Sequence, residues 1–323
     1  MKIEINITKK FMIIFTVVSL LVVGSIVYAS SVYLYDSKEV RYDNTSTSVL
    51  TSATDVQTAL DDLYSAAATY DLTAANSGFH NSIFRGKDVT EYLTSEYSLY
   101  DRISDGTFTD LYVGDYIVAN KITWRIAGFD IYLGKGDSTN TSINQTYNRH
   151  HAVIVPDGHL TKAQMNTTDT TDGGYAGSAM YTTTLPTVLS TYITPVFGDH
   201  VLTYRTLLTN SVSTNLFNKM ATGSANKAGA SVGWAWYTSS LDLMNENQLY
   251  GTIALSSSGH ETGADNVQFP LFRLRPEYRH KTDWFYLRTI VNSTMFEMAP
   301  RDGGVWYITA SNSGGVRPYF YIG

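Results

Sequence analysis

The stretch that decides the reading of this chain runs from Trp284-Phe285-Tyr286-Leu287-Arg288 to Gly314-Gly315-Val316-Arg317-Pro318-Tyr319-Phe320-Tyr321. Between those ends, a run rich in Asn, Thr, Ser and Gly is broken by isolated large side chains. Aromatic and polar groups set between glycine-rich turns suit a surface that touches a partner. Tyr and Trp give large contact area at low entropy cost, and Asn and Ser adapt their hydrogen bonds. The pattern reads as a recognition surface before it reads as an active site. Gly303, Gly304, Gly314 and Gly315 permit close backbone approach or a positive φ, and Arg317 offers a planar fork of donors to carbonyls or a carboxylate. With Trp284, Leu287, Arg288 and Pro318 they form the expected framework. The expected ligand-facing positions begin with Phe285, Thr289 and Asn292. They continue through Phe296, Glu297, Arg301 and Asp302 to Trp306, Tyr307 and Asn312. Trp306 and Tyr307 stand first among them, because aromatics dominate interface hot spots.

Outward from that stretch, composition narrows the class. A chain of 323 residues with 43% apolar side chains has ample material for a core, as one large domain or two ordinary ones with appendages. Net charge is −6, from 29 acids against 23 bases, and no Lys/Arg-rich run occurs beyond the first ten residues. A phosphate-neutralising surface is therefore not expected, which removes nucleic acid from the candidate partners. Charged residues are only 16% while Tyr numbers 24, the balance of extracellular β-rich proteins rather than of cytoplasmic enzymes. With no Cys, the chain has no disulfides, no thiolate metal site and no thiol nucleophile.

Three segments are expected. Lys2, Lys9 and Lys10 precede an uncharged apolar run from Phe11 to Tyr28, about 18 residues and just long enough to span a bilayer. We read residues 1–30 as an N-terminal anchor, with cleavage after Ala29 and secretion as the competing outcome. The positive-inside rule then puts everything after Ser30 outside the cell. In residues 31–70 a polar spacer leads to Val49, Ala53, Val56, Leu60, Leu63 and Ala67, a heptad seam expected to form a short stalk helix or to pack on the head. Thr54 and Gln57 offer its capping box. Residues 71–323 form the head. Its candidate strands are 111–119, 122–129, 151–155, 284–287 and 316–322. Its candidate helices are 89–94, 185–193, 202–208 with 216–220, and 241–250. Short strands with segregated helices imply an α+β fold.

The segments Phe84-Arg85-Gly86-Lys87-Asp88-Val89, Leu111-Tyr112-Val113-Gly114-Asp115-Tyr116-Ile117, His150-His151-Ala152-Val153-Ile154-Val155-Pro156-Asp157 and Ser256-Ser257-Ser258-Gly259 resemble hypothetical or tail-associated proteins of Firmicutes and their prophages. In those relatives the C-terminus carries a Trp-aromatic-Trp-Leu-Arg-Asp-like strand and a Gly-Val-Arg-Pro ending. Trp284, Leu287, Arg288 and Gly315-Val316-Arg317-Pro318 fit that frame, whereas Tyr286 and Thr289 depart from it. The ending resembles the C-type-lectin-like fold, in the variant shared by formylglycine-generating enzymes and the variable proteins of diversity-generating retroelements. That resemblance implies a C-type-lectin-like head whose segment 284–323 is a fixed scaffold carrying interchangeable, ligand-facing positions. Asp55 to Tyr64 resembles a short helix found near stalks of phage tail fibres and Gram-positive surface proteins, which implies a homotrimer. The expectation is a non-enzymatic cell-surface adhesin or receptor for an extracellular protein or glycan, needing no cofactor. The alternative is a prophage tail-associated structural or host-recognition protein.

Catalytic motifs are sparse. Gly229-Ala230-Ser231-Val232-Gly233 matches the G-x-S-x-G nucleophile elbow, but no strand-then-helix pattern surrounds it, so a secreted serine hydrolase using His260 or His280 ranks last. His150 and His151, being adjacent, are expected on opposite sides of an extended segment and not on one metal. Asp169 and Asp172 lack the carboxylate count of a defined Ca²⁺ site and read as a solvated loop. Formylglycine-generating enzymes use cysteine, so a chain without it cannot share their chemistry even on their fold.

Overall fold

The computed structural model describes residues 58, 77–137, 148–212, 231–255, 267–280 and 283–323. The chain divides into two compact units, Met1–Leu72 and Thr73–Gly323. In the first, Thr58 lies in a helix. The apolar run 11–28 and the rest of the heptad seam lie outside the described residues, as do 216–220, Ser256-Gly259 and His260. Among the described residues no helix is long and apolar enough to cross a membrane.

The second unit is α+β, mostly sheet with few helices. One sheet joins β1 (Tyr116–Ala119), β2 (Ile122–Phe129), β3 (Ala152–Pro156), β12 (Pro318–Ile322) and β7 (Asp242–Leu243), in that order. Each neighbouring pair in it is antiparallel. The other joins β10 (Trp306–Thr309), β9 (Met295–Ala299), β8 (Phe285–Ile290), β11 (Gly314–Val316) and β4 (Thr161–Ala163). Its single parallel step is β11 beside β8, at Gly315 and Phe285. A two-stranded ribbon pairs β5 (Tyr204–Val212) with β6 (Ser231–Ser239).

Strand β12 is buried at every position, so its side chains serve two packing faces. Phe320 meets Trp124 and Phe197 edge-on at 5.8 and 5.2 Å. Tyr319 and Tyr321, on the opposite face, meet Phe269 at 5.2 Å and Tyr204 at 4.7 Å. β2 is likewise buried along most of its length, and its one charged residue, Arg125, is neutralised by Asp157 through two 2.6 Å bonds.

The expected strand 316–322 is two strands. It breaks at Arg317-Pro318, where the chain leaves one sheet for the other. Proline lacks the N–H a ladder needs and here takes the first position of β12. Arg317 is wholly buried at the crossing, its Nε donating to the Pro156 carbonyl at 2.9 Å and its Nη1 to that of Arg279 at 3.2 Å. Its ring neighbours are Phe285 and Phe272, and burial brings its pKa down to about 10.

Other expectations shift for local reasons. The strand expected at 111–119 forms only from Tyr116, because Gly114 turns the chain at φ +88 and the Phe84 ring fills the space a Cβ would need. The helix expected at 202–208 is instead strand β5. Tyr204, Thr206 and Leu208 point inward at period two, and the long ladder with β6 outweighs a helical spacing of leucines. In 241–250 only Glu246–Tyr250 is helical, started by an Asn245/Gln248 capping box, while Asp242–Leu243 pairs with β12. Residues 89–94 hold one 3₁₀ turn, Thr90–Leu93.

The helix expected at 185–193 extends in both directions and alternates in kind. It runs π over Met180–Thr184, α over Leu185–Val188, π over Leu189–Ile193 and α over Thr194–Phe197. Each π turn stands directly ahead of a proline, Pro186 or Pro195. A proline offers no N–H and its ring excludes the carbonyl four residues back, so the wider π turn accommodates what an α-turn would not.

Candidate functional site

The ligand-facing expectation falls on the meander β8-β9-β10, and the sheet order divides it. β8 is an interior strand with all six residues buried, and β9 is covered on both sides by neighbours. Phe285, Thr289, Phe296 and Glu297 are therefore core residues, not contact residues, which corrects their assignment to a binding face. An interior strand with helices or loops over both faces has no outward side for alternate residues to occupy. Asn292 is half-buried and spends its Oδ1 on the Thr294 N–H and hydroxyl in the β8-β9 turn.

β10 is the edge strand, and there the expectation meets an exposed surface. Trp306 is 57% and Tyr307 41% exposed, with ring planes 3° apart and centroids 5.6 Å apart. Register pairs Trp306 with Met298 and Tyr307 with Glu297. Arg301 and Asp302, on the turn that joins β9 to β10, are also exposed, as is Asn312 just beyond the strand. The turn is held from within. Gly303 N–H donates to the Pro300 carbonyl at 3.1 Å, Gly304 N–H donates to Asp302 Oδ1 at 3.0 Å, and the Tyr250 hydroxyl donates to the Gly304 carbonyl at 2.5 Å. At Gly303, φ is +80 and a Cβ would stand 2.6 Å from His280 Nδ1, so glycine is required there twice over.

The framework positions sit behind this face. The Trp284 ring lies where a side chain on Gly314 would be, 2.2 Å from the position of a Cβ, and meets Tyr286 edge-on at 5.5 Å. The Tyr286 hydroxyl lies 2.9 Å from the carbonyls of both Thr309 and Asn312, fixing the far end of β10, and burial raises its pKa. Leu287, Arg288, Gly315, Arg317 and Pro318 are buried. Asp169 is tied to this region too, its Oδ1 accepting from the Ser311 N–H at 3.1 Å and hydroxyl at 2.6 Å, while Asp172 is exposed.

Beneath the β9-β10 hairpin lies a feature the sequence did not announce. Glu246 and Glu297 are 1% and 0% exposed and act on each other. Burial first, and the Glu246 carboxylate second, push the Glu297 carboxyl well above the ordinary carboxylate range. Glu297 sits in a strand and Glu246 opens a short helix, so only the tertiary pairing brings them together.

The remaining motifs resolve into structure. Ser231 opens β6, so strand and not the helix of an elbow follows it. His150 and His151 lead into β3, and their rings pack on different neighbours, Phe108 and Tyr321. His150 Nδ1 lies 2.7 Å from one Asp130 oxygen, and the His151 N–H donates to the other at 2.9 Å. His151 Nε2 accepts from the Tyr132 N–H at 3.0 Å and Nδ1 donates to the Arg149 carbonyl, leaving a neutral ring whose pKa burial lowers. Among the described residues no group of three or more His, Asp or Glu is placed to hold a metal ion. An open groove of about 600 Å³ runs between the β1-β2 turn, residues 157–160 and Thr191-Tyr192.

No family model, no curated protein and no solved structure matches this chain.

Proposed function

We propose that this chain is a non-enzymatic ligand-binding protein of the cell surface, an adhesin or receptor whose C-type-lectin-like head binds an extracellular protein or glycan. The observation that carries the reading is the exposed, parallel Trp306-Tyr307 pair on an edge strand, backed by strands whose every neighbour is core. Large exposed aromatics on a rigid support are what interface hot spots are made from, and solvent exposure is otherwise an unfavourable place for them. Arg301, Asp302 and Asn312 border the pair and supply a polar rim. The contact face is thus narrower than the segment 285–312, being confined to 301–312. Retroelement diversification and a trimeric stalk belong to the same proposal and rest on the sequence resemblance, whereas the N-terminal anchor rests on the apolar run 11–28 behind Lys2, Lys9 and Lys10.

The test uses the full chain displayed on an expressing bacterium and screened against glycan and protein arrays. Trp306→Ala with Tyr307→Ala is expected to abolish binding to each ligand found, with the head still folded by circular dichroism. Binding that survives the double substitution would remove this face from consideration. A neighbouring reverse transcriptase with a template repeat that differs from codons 301–312 mainly at adenines is the expected genomic context. A repeat whose differences fall instead on the buried codons 285–297 would contradict the division of the segment.

A further inference from the structure

Glu246 is committed to its surroundings. Its Oε2 accepts from the Ala254 and Leu255 N–H groups, both at 2.8 Å, and its own N–H donates to Thr289 Oγ1 at 3.2 Å. Its helix, Glu246–Tyr250, is fixed at both ends by the Asn245 cap and by Gly251 in the left-handed region. Glu297 is in the opposite situation. It projects from β9 with no exposure, and neither carboxylate oxygen has a well-formed hydrogen bond among the described residues.

An ionised carboxylate there has lost its water and gained only the Thr289 hydroxyl as a donor, a cost proteins avoid by keeping such a group neutral. Two carboxylates in one dry site do not both ionise, and a proton held between them turns a repulsive contact into a charge-assisted O–H···O bond. The other groups around the pair do not substitute for that proton. Tyr250, on the same helix, spends its hydroxyl on Gly304, and Thr289, from β8, accepts from the Glu246 N–H while its hydroxyl is the weakest of the influences on Glu297. Asp302, on the turn, acts on the Tyr250 hydroxyl and not on Glu297. Arg279, from Pro276–Arg279, donates to the Phe272 carbonyl, lies over the Tyr250 ring and forms no ion pair among the described residues.

We propose that Glu246 and Glu297 share a single proton and that this proton latches the β9-β10 hairpin to the helix Glu246–Tyr250, so that losing it loosens the strand that displays Trp306 and Tyr307. Because Glu246 is held by three hydrogen bonds and a capped helix, the edge hairpin is the side that yields. The direction of the shift on Glu297 agrees. A carboxyl whose folded pKa is raised above its ordinary 4.5 contributes stability that is complete below 4.5 and is lost as pH rises through the folded value. The latch therefore closes toward acid and opens toward base. What the hairpin displays rests on the ligand-binding reading, but the latch does not.

The experiment follows the full chain in detergent by infrared spectroscopy and by hydrogen exchange with mass spectrometry, neither of which needs a ligand. At neutral pH the wild type is expected to show a protonated-carboxyl C=O band that Glu297→Gln removes. Exchange at residues 295–309, corrected for its intrinsic pH dependence, is expected to rise by about tenfold per pH unit above the folded pKa until opening is complete. In Glu297→Gln, whose amide keeps a donor and cannot ionise, that rise is expected to vanish. Glu246→Gln removes the partner charge and is expected to shift the onset toward lower pH, which keeps the idea testable if Glu297→Gln fails to fold. A difference spectrum showing only a lost ionised carboxylate would overturn the proposal. So would a pH-dependent rise that persists in Glu297→Gln, or Ca²⁺-dependent protection of 295–309, which would make the pair a cation site.

Discussion

β10 and β12 come from the same stretch of sequence and are made of the same kinds of residue, yet one is the most exposed strand of its sheet and the other is buried at every position. Trp306-Tyr307-Ile308-Thr309 has a neighbour on one side only. Pro318 to Ile322 has β3 on one side, β7 on the other and aromatic layers above and below. The difference lies in position within a sheet, not in composition. An aromatic strand becomes a core when other strands flank it and an exposed surface when it stands last.

The sharpest way to break that contrast is to remove one ring from each. Phe320→Ala is expected to cost about 3–5 kcal/mol in denaturant unfolding, since it empties the space between Trp124 and Phe197. A loss under about 1 kcal/mol would mean that β12 is not the centre of the core. Next in size is Gly314→Ala. The new methyl meets the Trp284 ring at 2.2 Å and Tyr286 at 2.8 Å, so overpacking of about 1–3 kcal/mol is expected, again by denaturant unfolding.

Acid should separate the two regions as well. His151 packs on Tyr321 of β12 and its folded pKa is lowered from 6.5 by burial, so its contribution to stability is complete above 6.5 and is lost as pH falls through the folded value. Melts of the wild type below pH 6.5 are expected to lose up to about 1.4 kcal/mol per pH unit from this group, a slope that His151→Gln flattens. The smallest effect belongs to the edge. Trp306→Ala is expected to change unfolding free energy by no more than about 0.5 kcal/mol while removing ligand binding, because its ring lies in solvent. A large destabilisation would make it a core residue after all.

These cases also mark where the sequence was readable. Ile122–Phe129 and the neighbourhood of 152–156 are strands where β-branched and aromatic runs said they would be. β5 was misread because its leucines, taken alone, fit a helical spacing, and the partner that decides the matter, β6, lies beyond a long connection. The glycine frame was legible through its need for space, as at Gly314 against Trp284. Which aromatics faced out was not legible. Phe285 and Phe296 differ from Trp306 only by standing one or two strands further inside, and strand order is set by pairings such as Gly315 with Phe285 that no local pattern encodes. Glu246 and Glu297 were invisible as a pair for the same reason, although a lone Glu in an otherwise apolar strand, Met295–Ala299, was a signal that something had to meet it.

The crossing at Arg317-Pro318 has a kinetic consequence. β11 completes one sheet by joining β8 to β4, and β12 completes the other by entering between β3 and β7, so neither sheet closes until residues 314–322 are in place. Every partner they meet in β3 and β4 lies far back in the chain, and such distant pairings make folding slow. As the polypeptide emerges, β3, β4 and β8 wait with open edges for a segment that has yet to appear. The keystone is thus a single passage of chain, three residues of it in one sheet and five in the other.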